Sequence, residues 1–167
     1  MFINQSLLLQ QSTFRKFANI DEWNHPLAIT LTMRQAVTIH DDHRVVTDHL
    51  TPEKASQNLR HFLNLINRRV FGKAAIRFGK QLRVIPVLEG GNGKRLHYHL
   101  AIDCPSSELQ GTLPGLIRKL WQDTMWGYGQ IDIQPDADAG WIKYISKLRD
   151  KPSFADAIDW LNYHNPD

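Results

Sequence analysis

Apolar and polar positions change period several times along the chain, and each change predicts an element. Residues 27–33 alternate as in a strand: Leu27, Ile29, Leu31 and Met33 fall on one side, Ala28, Thr30 and Thr32 on the other. That strand follows Pro26 and is read as far as Val37. From Thr51 the spacing becomes helical. Thr51 caps, Pro52 takes the first helical position, and Glu53 meets the positive end of the helix dipole. Leu59, Phe62, Leu63, Ile66 and Val70 form the core stripe, and Gly72 ends the helix. Residues 83–103 alternate again, in two runs divided by Gly90-Gly91-Asn92-Gly93, which predicts a β-hairpin. Further on, residues 113–124 predict a helix with Leu116, Leu120 and Trp121 inward, and residues 129–133 a short strand. Residues 136–138 read as a loop and cap, and 139–149 as an amphipathic helix stopped by Pro152. A last helix is expected over 154–163, with Phe154, Ile158 and Leu161 on its apolar side. Residues 6–17 predict a short helix before the first strand, and 40–50 a polar loop.

The resulting order, β-α-β-β-α-β-α, predicts an α+β fold of the ferredoxin-like or RRM-like split type: an antiparallel central sheet with helices on one face. The other sheet face is then expected to be free.

Composition narrows the class. At 167 residues with 42% apolar and 22% charged residues, the chain suits one globular domain. One cysteine, Cys104, excludes an internal disulfide framework and a cysteine-rich zinc site. No secretory signal or membrane span is legible, so a cytoplasmic protein with no membrane partner is expected. The net charge of +3 is small but unevenly spread. Residues 54–88 hold no acid and carry Lys54, Arg60, Arg68, Arg69, Lys73, Arg77, Lys80 and Arg83, with Lys94 and Arg95 following. Such a block suits a polyanion, most simply a nucleic-acid backbone.

The hairpin carries the candidate chemistry. In LHYHLAID, His97 and His99 share one face and Tyr98 takes the other, toward the core. With a loop at 91–93, Glu89 is expected opposite Arg95 and diagonal to His97, on the face of both histidines, which are then partly exposed. A one-residue slip would turn Glu89 away unless a bulge restored it. Two imidazoles and a carboxylate on one face can hold a divalent cation and leave positions open for substrate. The mixed donor set suits Mn2+, with Mg2+ as the cellular alternative. By contrast His40, His43 and His49, with Asp41, Asp42 and Asp48, have no ligand spacing, and a solvated loop is the expectation there.

Three segments, LAITLTMRQ, LHYHLAID and KYISK, stand in an order that resembles the HUH endonucleases, most closely their single-tyrosine rolling-circle replication initiators. The resemblance spans about residues 27–149. It implies metal-dependent, sequence-specific nicking and joining of single-stranded DNA at an origin or hairpin, through a 5′-phosphotyrosine, with a host helicase as a further partner. Carried across, Glu89, His97 and His99 hold the metal, Tyr144 is the nucleophile, and Lys147, one helical turn on, accompanies it. Thr30, Thr32 and Arg34 of the first motif, Arg60, Arg68, Arg69 and Lys73 of the basic block, and Lys94, Arg95 and Lys143 are the candidate DNA contacts. The division expected is an extension over 1–26, the endonuclease domain over 27–150, and a C-terminal helix over 151–167 packed on it. Two other readings share these features: an insertion-sequence-type transposase with one tyrosine, and a non-catalytic RRM-like nucleic-acid-binding module. Against the latter, the aromatic of the hairpin points inward and the outward positions are histidines.

Overall fold

Four antiparallel strands organise the protein: β1 (His25–Met33), β4 (Val84–Gly91), β5 (Lys94–Cys104) and β6 (Gly127–Gln134), in the spatial order β4-β5-β1-β6. A computed structural model describes residues 4–149, 151 and 153–166. The sheet is completed by α2 (Pro52–Phe71) between its first two strands and α4 (Leu113–Gln122) before its last. This is the split α+β arrangement that the order of elements predicts. Three further helices were expected in outline: α1 (Gln5–Phe17), α5 (Ala139–Ile145) and α6 (Phe154–Ala157).

The two long helices pack on one sheet face. Leu59, Phe62, Leu63 and Ile66 of α2 and Leu113, Ile117, Leu120 and Trp121 of α4 close over Leu27, Ile29, Leu31, Met33, Tyr98, Leu100 and Ile102. Thr51 caps α2 by accepting from the Lys54 amide at 3.3 Å, as its position predicts. Tyr98 is fully buried here, and its hydroxyl donates to Asp159 at 2.8 Å. An aromatic with a polar tip is tolerated in a core when that tip finds such a partner.

The second face is not free. Ile85, Val87 and Ala101 on its β4–β5 side are covered by Phe14 and Ala18 from α1 and its end, Ile142 and Ile145 from α5, and Phe154 and Ile158 near α6. The sequence hid this because α1 shows little apolar periodicity; only Phe14 of that helix is buried. What remains open is the β1–β6 side of this face, where Thr30 lies between His99 and Asp132 in cross-strand register.

Other expectations need correction. The strand beginning at His25 stops at Met33; residues through Val37 belong to a separate hairpin, β2 (Ala36–Asp41) with β3 (Arg44–His49), where a polar loop was read. Polar side chains concealed it, because nearly every position of this two-stranded sheet faces solvent. A short α3 (Lys73–Phe78) follows Gly72. Helix α5 is seven residues long rather than eleven, and Pro152, read as its stop, lies outside the described residues, as do residues 1–3. Helix α6 ends at Ala157, and beyond it the backbone runs along the outer edge of β4. There Val84 and His164 exchange amide hydrogen bonds of 2.7 and 3.0 Å, and Asp159 donates to the Pro86 carbonyl at 3.1 Å. Leu161, expected inward, is exposed. Among the described residues no helix is long and apolar enough to cross a membrane.

Candidate metal centre

The turn of the β4–β5 hairpin decides where Glu89 points. The tight turn consists of Asn92 and Gly93, and Gly91 pairs with Lys94. Continued without interruption, that register would put Glu89 opposite Leu96, on the core face. A bulge at Gly90 shifts it, so that Glu89 pairs directly with His97. Glu89 was expected two positions away, opposite Arg95; the bulge makes the pairing closer and keeps the face. Gly90 has φ +106°, and a Cβ there would stand 2.3 Å from the Arg95 carbonyl oxygen, so a residue with a side chain does not fit.

One ligand atom from each of Glu89, His97 and His99 lies within 4.8 Å of the others. The Nε2 atoms of the histidines are 3.2 Å apart. Glu89 Oε2 lies 3.2 Å from His99 Nε2 and 3.5 Å from His97 Nε2. The outer ring nitrogens are occupied. His97 Nδ1 lies 3.1 Å from the Arg95 carbonyl oxygen, which only accepts, so Nδ1 carries the proton and Nε2 of the neutral ring is a lone-pair donor. His99 Nδ1 pairs with Thr30 Oγ1 at 3.0 Å. Two Nε2 lone pairs and a carboxylate facing one another call for a positive charge among them, and outer-nitrogen hydrogen bonds of this kind are the usual support of metal-bound imidazoles. The set fits a divalent cation bound by two nitrogens and one oxygen.

Burial and charge shape the site. Glu89 and His99 are buried, at 4% and 5% exposure, while His97 is partly open. The full burial of His99 departs from the expected partial exposure and follows from the ring of Trp141 set edge-on at 5.6 Å. Burial alone would push the Glu89 carboxyl up, but hydrogen bonds from His97, His99 and Lys151 hold it well below the usual range. The hydrogen bond to Glu89 raises His97 above its ordinary value, against the effect of burial.

Helix α5 brings the tyrosine to this cluster. Asp138 caps it by accepting from the Gly140 and Trp141 amides. Trp141 donates through Nε1 to the Leu100 carbonyl at 2.9 Å, which anchors the helix to β5. Tyr144 stacks on Trp141 with centroids 5.4 Å apart and stands edge-on to His99, also at 5.4 Å. Its ring is half exposed. Lys147 Nζ sits 4.1 Å from the Tyr144 ring centroid and 3.6 Å from Glu89 Oε2. From α1, Gln11 donates to the Ser146 carbonyl and Arg15 to Ser146 Oγ, each at 2.7 Å, and Arg15 also donates to the Lys143 carbonyl at 3.2 Å.

The structure thus brings together Glu89, His97, His99, Tyr144 and Lys147, with Thr30 behind His99. Thr32 lies across from His97 and donates to the Gln130 carbonyl. Arg95 lies over the half-exposed Tyr128 ring at 6.0 Å. Arg34 donates to the Met125 carbonyl at 3.0 Å, and Lys94 is at the hairpin tip. Lys143 is exposed on α5. Arg60, Arg68, Arg69 and Lys73 are not brought to the cluster. They lie on α2 and α3, whose inner face packs on the opposite side of the sheet, and Arg60 donates to the Leu161 carbonyl at 2.7 Å. A run of charge shows no face until the helix beneath it is placed. Sequence reading missed Trp141 and Lys151. The Lys147–Lys151 spacing is the only trace of the latter.

Fold and cluster together define a split α+β protein with a candidate divalent-cation site on its sheet. The model of the replication-associated protein ORF2 family matches residues 26–152, and the chain belongs to that family. The matched stretch contains Glu89, His97, His99, Tyr144, Lys147 and Lys151. Comparison with curated proteins and with solved structures found no match.

Proposed function

We propose that the protein is a metal-dependent HUH-type endonuclease and strand transferase that nicks and rejoins single-stranded DNA to initiate rolling-circle replication. The observation that carries this reading is the seat of Tyr144 beside His99, with Lys147 touching both the tyrosine ring and Glu89. A divalent cation held by Glu89 Oε2 and the two Nε2 atoms supplies Lewis-acid polarisation of a phosphodiester. Tyr144 Oη attacks the phosphorus, forming a phosphotyrosine to the 5′-phosphate of the downstream strand and releasing a 3′-hydroxyl. Lys147 sits where it stabilises the phenolate or a phosphate oxygen. The phosphoester is conserved, so a 3′-hydroxyl can reverse the step. The open β1–β6 side of the sheet, with Thr32 and the Arg95–Tyr128 pair, suits a single strand, whose bases stack on aromatic rings while cations meet its phosphates.

The test is incubation with Mn2+ and a cleavable single strand. Wild type is expected to form a covalent adduct that maps to Tyr144. Tyr144→Phe keeps the ring packing and removes only the attacking oxygen; it should bind Mn2+ and DNA yet give no adduct. An adduct on another residue, or one formed by the Phe variant, rejects the assignment. Strand binding with no adduct in wild type would favour the non-catalytic binding module.

A further inference from the structure

Glu89 divides its two oxygens between different partners. Oε2 faces His97, His99 and Lys147. Oε1 accepts from Lys151 Nζ at 2.7 Å. The Lys151 side chain is fully buried, so this ammonium has left water to reach the carboxylate. Exposed ion pairs are cheap and replaceable, whereas a buried lysine is retained only where its partners compensate it. Nζ also donates to the Lys147 carbonyl at 2.8 Å, which ties the carboxylate to the backbone just beyond Tyr144.

A carboxylate with both oxygens free can chelate one cation through both, and manganese accepts either mode. Bidentate binding would consume a coordination position that a substrate phosphate needs. With Oε1 held by Lys151, only Oε2 faces the histidines. We infer that Lys151 is a positioning residue that fixes Glu89 as a one-oxygen metal ligand and so keeps coordination positions open for DNA. This rests on the metal site proposed above. Lys151 also places a positive charge beside the cation, lowering metal affinity while preserving the geometry needed for turnover.

The sign of the effect separates this role from a structural one. Loss of a merely structural lysine loosens the site and weakens metal binding. Loss of Lys151 as a positioning residue removes a repelling charge and frees Oε1, so metal binds more tightly while nicking slows. The experiment uses the full chain and Mn2+ alone as probe, with calorimetry for affinity and electron paramagnetic resonance of the bound ion for its ligand field. Lys151→Met is expected to tighten Mn2+ binding by about tenfold or more and to change the zero-field splitting. Lys151→Gln, which retains a neutral donor for Oε1, should tighten binding with the spectrum close to wild type, and it carries the test if the Met variant does not fold. Unchanged or weaker Mn2+ affinity in a folded variant overturns the inference. Failure of wild type to bind Mn2+, or binding unaffected by His97→Ala with His99→Ala, overturns the metal site itself.

Discussion

Glu89 and His97 hold opposite charges in a site shielded from water, and their protonation should be readable in the stability of the metal-free protein. The Glu89 carboxyl, held low, contributes above its unfolded-state pKa of about 4.3 and loses that contribution as pH falls through its lower folded value. The His97 imidazolium, held high, contributes fully below its unfolded-state pKa of about 6.5 and loses it as pH rises through the raised folded value. The pair should therefore help most between about pH 4.3 and 6.5. Thermal melts in chelator, comparing wild type with His97→Gln, should show a Tm difference that is largest in this window and shrinks above it. A difference that is flat with pH would dissolve the pairing. Metal must displace the His97 proton, so Mn2+ affinity measured by calorimetry should climb with pH through the same upper limit. At this scale the sequence was informative: His-x-His named its own face, and Glu89 lay within reach. Lys151 was not legible, because its approach to Glu89 depends on how the chain returns after α5.

Among the elements, the β4–β5 hairpin and α5 hold the site and depend on features of different kinds. The hairpin depends on one backbone conformation. Gly90→Ala has to accommodate a Cβ 2.3 Å from a carbonyl oxygen at φ +106°, and should cost about 1–3 kcal/mol or more and weaken Mn2+ binding as Glu89 turns. Gly91→Ala, with φ +90° and open space around its Cβ, is the control and should lose stability with the metal site intact. Equal Mn2+ affinities in the two variants would remove the bulge from the account. A glycine run announces a turn but not which glycine bulges, so Glu89 was legible on its face but not against its partner. Helix α5 depends on α1 instead. Arg15→Ala breaks two hydrogen bonds to the end of the tyrosine-bearing helix, and adduct formation is expected to fall with Mn2+ affinity unchanged. Undiminished adduct yield would leave α1 as mere cover for Ile85 and Val87. Residues before the first strand read as an extension because one buried phenylalanine makes no stripe.

For the molecule as a whole, the split order of elements was legible because the long helices and the hairpin carry strong periodic signals. The distribution of function over its two sides was not. The charge-rich helix α2 lies behind the sheet, and the cation site in front of it, so salt-dependent DNA affinity should respond more to Arg95 than to Arg68. Comparing the salt slopes of Arg95→Ala and Arg68→Ala checks this; a larger loss of slope for Arg68 would put the strand on the helical side. The stretch after α6 has a different significance. It occupies the outer edge of β4 with paired amides at Val84 and His164, and it presents Asp159 to Tyr98 from beyond that edge. A bare strand edge is a template on which another chain can add. Removing residues 158–167 should therefore give a protein whose apparent mass in light scattering grows with concentration, while a shortened chain that stays monomeric would show the edge to be harmless. On this account the same ten residues that brace the histidine strand from behind also keep each molecule from joining its neighbour's sheet.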